Sequence, residues 1–475
     1  NETVWSQTAM PDNTTDTQTL TMSTPLTQEG RTRFLAKLID TNGNDVERYL
    51  SSYDIYFDQT APDAPVAPDL KKSSDRGLSP TDDLTNDATP TFSLDISSIQ
   101  NQSSIEHYSY DGYIVIYAND VIQDSAVFDQ DRPGDSVNVA ISNALAEASY
   151  TIKAKAVDRA GNRSSFSSGL AMEIDLTPPS VPGTPNMSAS YDTGWSNSDD
   201  STSALTPVFV VSGVSANDSV LIFTGSDTLN REISDGGNVE LSPGSSFSST
   251  TTYVIKALAK DQAGNPSLES SGLSVYIDNT SASAPGTPDL QANYDSGWSS
   301  ADNITNSPTM RFNLDNLISI DSVYLKFNAD IVARDLAGGA TKTDWEVTVD
   351  DAIYQGDISV TSYSQDRAGN NSNTSSALSV HLDTQTPSSP TSIDMLAIDD
   401  SGSDNTDNVT TNRQPGFEIQ GVTATDSVLL IFGSNVVATG RATGTSITLS
   451  PDNVQLDNTY AVTTKRLDVA GNESS

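Results

Sequence analysis

Two aspartates seven residues apart, with a glycine at the third position, recur four times in the chain. Asp75-Arg76-Gly77-Leu78-Ser79 runs on to Asp82, and Asp192-Thr193-Gly194-Trp195-Ser196 runs on to Asp199. Asp295-Ser296-Gly297-Trp298-Ser299 runs on to Asp302, and Asp400-Ser401-Gly402-Ser403 runs on to Asp407. The chemistry such a pair can do is cation binding. Calcium takes ~6–8 oxygen ligands at ~2.3–2.6 Å, from carboxylates and carbonyls on flexible loops. A glycine between the two aspartates lets the loop curl so that both carboxylates point inward, with main-chain carbonyls completing the shell. The plainer reading is a solvated polar turn. Four copies at one place in a repeat, with the pair kept while its neighbours change, favour a calcium loop.

A second motif, Asp-x-Ala-Gly-Asn, stands at Asp158–Asn162, Asp261–Asn265, Asp366–Asn370 and Asp468–Asn472, after a weaker copy at Asp40–Asn44. The starts are spaced 118, 103, 105 and 102 residues apart. By itself the motif reads as a hairpin tip in which Asp and Asn cap main-chain groups; the Asp and Asn are also candidate ligands. The third mark is an aspartate that closes an apolar strand before a link: Asp58, Asp175, Asp278 and Asp383. It either ends the strand or contributes a ligand. The three marks keep one order, so the period is genuine.

The period predicts an all-β chain, a tandem array of immunoglobulin-like β-sandwich domains with almost no helix. Residues 1–58 form a partial domain lacking its front half. Residues 59–175, 176–278 and 279–383 are whole, and 384–475 lacks its last strand. A piece cut from a longer array would read this way. Within 176–278 the strands fall at Pro182–Ala189, Thr206–Val211, Ser219–Phe223, Tyr253–Lys260 and Gly272–Ile277. Tyr253, Ile255, Ala257 and Ala259 share one face, the alternation of a half-buried strand. Tyr150, Tyr253 and Tyr460 each lie eight residues before their hairpin aspartate. That is the place of a tyrosine corner in such sandwiches; Ile358 replaces it in one copy.

Sandwich topology sends the first strand to the far pole and returns the last hairpin to the near one. Three elements therefore converge at each joint: the acidic loop and link aspartate of one domain, and the hairpin of the next. The expected groups are Asp75, Asp82, Asp175, Asp261 and Asn265; Asp192, Asp199, Asp278, Asp366 and Asn370; and Asp295, Asp302, Asp383, Asp468 and Asn472. The first joint keeps Asp58, Asp158 and Asn162. Asp400 and Asp407 form the last acidic loop. Trp195 and Trp298, inside their loops, read as apolar plugs on the sandwich, with sugar stacking as the alternative. His107 and His381 read as structural.

Composition bounds the partners. The 475 residues carry 63 acidic against 24 basic side chains, a formal net charge of -39. Nucleic acid and anionic membranes demand a basic face and are excluded as partners. There is no cysteine, which rules out disulfides and thiolate metal sites and suits a secreted bacterial protein. No apolar run reaches the ~20 residues of a membrane span. The residues from Asn1 to Trp5 are not a signal peptide. No nucleophile–base pair stands out, so no enzymatic activity is expected.

Taken together, Asp-(Ser/Thr)-Gly-x-Ser-x-x-Asp, Asp-x-Ala-Gly-Asn and Ile-Asp-x-Thr-x-Pro resemble the bacterial Ig-like repeats of very large calcium-binding, type-I-secreted surface adhesins. The resemblance covers essentially the whole chain. It implies calcium-rigidified extender repeats that hold a distal ligand-binding domain away from the bacterial cell. Neighbouring repeats of the same chain are then the immediate partners. The link Asn279-Thr280-Ser281-Ala282 departs from the pattern by lacking an early proline, so a looser joint is expected there. The other reading is a structural polymer, a surface layer, sheath or filament, that self-associates through the same domains.

Overall fold

A computed structural model describes residues 19–22, 24–97, 99, 111–129 and 136–475; His107 lies outside the described residues. The chain divides into two compact units. One holds Asn1–Pro185, Val211–Leu241 and Lys256–Ser271; the other holds Asn186–Val210, Ser242–Ile255 and Gly272–Ser475. The described residues contain 32 strands and one four-residue helix. That follows from a Ser-, Thr-, Asp- and Asn-rich composition, whose side chains compete with the helix backbone.

In the first unit, Gly30–Ile39 and Asp45–Phe57 pair antiparallel as an isolated hairpin. Its turn closes through Asp40 N to Asn44 O at 2.8 Å. The next domain is a sandwich. Its smaller sheet orders Asp69–Leu70, Thr91–Asp95 and Ser136–Ala140. The larger orders Leu84–Thr85, Leu170–Ile174, Ala148–Val157, Asp111–Ala118 and Val121–Asp129. Alternating side chains from both sheets meet in one core, with Phe92, Leu94 and Val139 against Ile114, Ile116, Ile152 and Ile174. Further along this unit, Ser219–Thr224 pairs with Asp227–Ile233 and with residues 256–260.

In the second unit, residues 251–255 pair with Leu273–Ile277. Two sandwiches follow. One has the sheets Asp289–Leu290, Thr309–Leu314, Lys342–Thr348 and Ile304–Thr305, Leu378–Leu382, Gly356–Gln365, Ser322–Phe327, Asp330–Leu336. Phe312, Phe327, Leu325 and Val360 fill its core. The other has three strands in each sheet, around Phe417, Ile419, Leu430 and Phe432. The edge strand expected over Pro182–Ala189 shrinks to Asn186–Met187, because Pro182 and Pro185 have no N–H to give a ladder.

A recurring short pairing positions the acidic loops. After three of the four loops, a two-residue strand runs parallel to the closing strand of its own domain. Leu84–Thr85 pairs with Glu173 and Ile174, Ser201–Thr202 with Tyr276 and Ile277, and Ile304–Thr305 with His381 and Leu382. The ladder then runs into the link, as Asp175 N, Asp278 N and Asp383 N donate to Thr85 O, Thr202 O and Thr305 O at 3.0, 2.9 and 2.9 Å. Loop and link are thereby tied at one pole.

The tyrosine corners form as expected. Tyr150 and Tyr460 donate to the carbonyls of Ala146 and Leu456, both at 2.9 Å. Tyr253 accepts from Ser248 N at 3.0 Å. Where Ile358 stands instead, the helix Asp351–Tyr354 brings Tyr354 against the same core.

Each core being its own, damage should stay local. Phe312 is fully buried, and its truncation to alanine costs ~3–5 kcal/mol. Hydrogen-exchange mass spectrometry on Phe312→Ala should show faster exchange across 279–383 and unchanged protection across 136–175.

Candidate metal centre at the domain joints

The first aspartate of each acidic loop is buried. Asp75, Asp192, Asp295 and Asp400 are 4–6% exposed. One carboxylate oxygen is held from within the loop: Asp192, Asp295 and Asp400 Oδ2 accept from Asp200, Asn303 and Asn408 N at 3.1, 3.0 and 3.1 Å. The donors take left-handed backbone, with φ of 56°, 60° and 57°, which Asp and Asn tolerate best after glycine. The other oxygen, Oδ1 of Asp75, Asp192 and Asp400, is buried with no hydrogen-bond partner. Asp295 differs, since its Oδ1 accepts from Ile304 N at 3.1 Å. Burial pushes Asp75, Asp192 and Asp295 above the ordinary carboxylate range. Neighbouring carboxylates add to it: Asp82 and Asp83, Asp199 and Asp200, and Asp302.

The second aspartates, Asp82, Asp199, Asp302 and Asp407, turn the chain. Each Oδ1 accepts the main-chain N–H two residues on, from Leu84, Ser201, Ile304 and Val409, at 3.1–3.3 Å. The link aspartates do the same. Asp58, Asp175, Asp278 and Asp383 accept from Thr60, Thr177, Thr280 and Gln385 N at 2.9–3.0 Å. Burial opposes the charge of Asp278, but hydrogen bonds from Thr280, Tyr276 and Ser249 outweigh it and hold this carboxyl low.

The hairpin motif makes the joint. Asp158, Asp261, Asp366 and Asp468 each accept two bonds from the asparagine four residues on, one from its N–H and one from its Nδ2. So clamped, Asn162, Asn265, Asn370 and Asn472 donate to the main-chain carbonyls of Asp58, Asp175, Asp278 and Asp383 at 3.2, 2.8, 2.6 and 2.7 Å. The acidic loop adds a second tie. Leu78 N donates to Gln262 O at 2.9 Å, Ser296 Oγ to Ala470 O at 2.6 Å, and Thr193 Oγ1 to Ala368 O. Loop, link and hairpin therefore meet at the joints around Asp175, Asp278 and Asp383. The joint expected to be loose, after Asp278, keeps every one of these bonds and adds Arg367 Nε to Asp199 Oδ2 at 3.1 Å.

The glycines are required by contact as well as by turning. A Cβ on Gly77 would lie 2.3 Å from Gln262 O, and one on Gly264 would lie 2.6 Å from Arg76 O. Gly264 also holds φ at 94°. Side chains at either position would force the two backbones apart.

At the last joint, Asp302, Asp383 and Asp468 line one cleft of about 580 Å³, with Asp357, Asp426 and His381. His381 Nδ1 lies 2.6 Å from Asp357 across two paired strands. The carboxylates share this space without closing on one point; among the described residues no group of three or more acidic or imidazole side chains is set to hold a metal ion. The donor set nonetheless suits a hard cation. It is all oxygen, and in three loops it includes a buried, unpartnered carboxylate oxygen beside a second carboxylate.

Two features differ from the sequence reading. Trp195 and Trp298 are not plugs on their sandwich; they are 41% and 55% exposed. The Arg334 guanidinium lies over Trp195 at 4.3 Å, and Arg441 lies over Trp298 at 5.6 Å. Each arginine belongs to the domain after the loop, because the loop sits at the pole facing that domain rather than over its own core. The sequence reading also passed over Asp218, Asp321 and Asp426, all buried. The signal was there: each precedes Ser-Val at the start of a core strand.

A sequence profile described as the bacterial Ig-like domain matches residues 60–176, 179–279, 281–384 and 386–475. A comparison with curated proteins returns no match. Among solved structures, the chain is similar to a Ca2+-stabilized adhesin that helps an Antarctic bacterium reach out and bind ice. That match has 15% identity, 87% of this chain and 97% of that one covered, and a TM-score of 0.31. A tetra-tandem repeat from the extending region of a large adhesion protein matches at 18% identity, 86% and 97% coverage, and a TM-score of 0.25.

Two outcomes are expected. Gly264→Ala should free the Leu78 and Asn265 bonds, read as faster amide exchange at Leu78 with the strands of 136–175 still protected. The second outcome concerns pH. Burial raises Asp75, Asp192, Asp295 and Asp321, the last to about 6. A carboxyl raised in the folded state binds more protons there than when unfolded, so stability falls as pH rises through that range. In chelator, melting temperature should therefore rise on going from about pH 7 to about pH 5, the reverse of ordinary acid destabilisation. A flat or falling trend would remove the unpaired carboxylates as a source of strain.

Proposed function

This chain belongs to the bacterial Ig-like domain family, and we propose that it is a calcium-rigidified extender segment of a very large bacterial surface adhesin. In this reading 59–175, 176–278 and 279–383 are whole domains, with 1–58 and 384–475 partial ones. The observation that carries it is the unpartnered Oδ1 of Asp75, Asp192 and Asp400, buried at the same place in three loops. A buried charge without a partner costs several kcal/mol. Keeping it repeatedly, beside a second carboxylate, makes sense where a cation completes the site.

Calcium would be held by the two loop aspartates with main-chain carbonyls. The link aspartate and the hairpin Asp and Asn stand close by as further oxygen donors. When bound, the ion supplies positive charge that offsets their mutual repulsion. The protein supplies the coupling. The loop that holds the ion also carries Leu78, Thr193 or Ser296, the residues bonded to the next domain. A fixed loop therefore fixes the joint, and a floppy loop frees it. At calcium 100-fold above its dissociation constant, each site adds ~2.7 kcal/mol to the ordered state. Extracellular modules often bind at ~10⁻⁴–10⁻³ M, so stiffness would follow ambient calcium. The role is mechanical, without catalysis. It places the segment outside a bacterial cell, projecting a distal binding domain.

Small-angle scattering with millimolar calcium and with chelator tests this. Chelation should shorten the maximum dimension and open the joints to protease, while circular dichroism keeps the strand signal. The same maximum dimension in both conditions would overturn the reading.

A further inference from the structure

Among the described residues, Asp218, Asp321 and Asp426 are the buried Asp-Ser-Val aspartates, and the last two have different surroundings. Asp426 is 4% exposed and pairs with Arg466 at 3.3 Å. The same guanidinium donates to Gly421 O at 3.2 Å, Thr423 Oγ1 at 3.1 Å and Ser388 Oγ at 3.3 Å. A permanent cation thus sits at the pole of the 384–475 core. Arg466 faces Val428 across the sheet. In 279–383 the residue facing the corresponding Val323 is Ser364.

Serine cannot supply that charge, yet the aspartate is kept. Asp321 is 3% exposed and Ser364 is 1% exposed, and Asp321 Oδ2 and Ser364 Oγ both lack any hydrogen-bond partner. Strand alternation puts Asp321 on the face of Val323, which Ser364 shares from the neighbouring strand. Asp366 lies close enough for its charge to push the Asp321 carboxyl further up. Asp321 and Ser364, each with an unpartnered buried oxygen, stand where Asp426 and Arg466 pair in the sibling domain, with the Asp366 carboxylate near by.

We propose that Asp321, Ser364 and Asp366 form a further calcium site at the pole of the 279–383 core, taking the place of Arg466 in 384–475. The site takes no residue from the acidic loops, shares Asp366 with the hairpin of the joint after Asp278, and rests on the reading given for that joint only in the choice of ion. The remaining ligands are water and main-chain carbonyls, as oxygen-rich calcium sites accept. Domain 279–383 then needs an external cation where 384–475 carries its own.

Calorimetric titration of calcium into the full chain tests this, with Asp321→Asn and Ser364→Arg alongside. Asp321→Asn should bind one calcium fewer than the parent and be more stable in chelator. Ser364→Arg, which installs the sibling's guanidinium, should also bind one fewer, and hydrogen exchange across 279–383 should become independent of calcium. Unchanged stoichiometry in both variants would overturn the proposal. Loss of one site in the variants while scattering shows no calcium-dependent stiffening would keep this site and remove the extender mechanism. Intact stiffening with unchanged stoichiometry would do the opposite.

Discussion

Everything at the joints turns on one hydrogen bond. An asparagine side chain, gripped by its own hairpin aspartate, donates to the main-chain carbonyl of the preceding link aspartate. Clamping removes the freedom of the amide before the contact is made, so little entropy is lost in making it. The bond repeats at Asn162, Asn265, Asn370 and Asn472. It also explains the glycines around it. Backbones that exchange such bonds must approach closely, and Gly77 and Gly264 leave the space.

The charge arrangement follows from the same closeness. Bringing loop, link and hairpin together gathers carboxylates in a chain already at -39. The fold answers in two ways. The link and second-loop aspartates each spend an oxygen on a main-chain N–H. Arg367 and Arg466 neutralise Asp199 and Asp426 directly. The first-loop aspartates and Asp321 receive neither remedy in full, and burial shifts Asp75, Asp192, Asp295 and Asp321 upward. Among the described residues, buried carboxylate oxygens without a partner are thus confined to Asp75, Asp192, Asp321 and Asp400.

Much of this was legible in the sequence. The 103-residue period and the alternating strand near Tyr253 follow directly from side-chain pattern, and so does the tyrosine corner. The meeting of loop, link and hairpin followed from topology. What pattern did not reveal was contact across the joint. Gly77 reads as a turn residue, but a neighbouring domain's carbonyl is what requires it. Trp195 reads as core because large apolar residues usually are; its partner, Arg334, is 139 residues away in sequence. Asp218, Asp321 and Asp426 were hidden by their place at the head of apolar strands, where a lone aspartate looks like a strand boundary.

The asparagine reads a peptide carbonyl, a group every residue possesses. Nothing in that contact depends on which side chain follows the link aspartate, and Gln59, Leu176, Asn279 and Thr384 occupy that place in turn. Link sequences can drift without spoiling that bond. Length in such an array then follows the number of modules and not the wording of any one link.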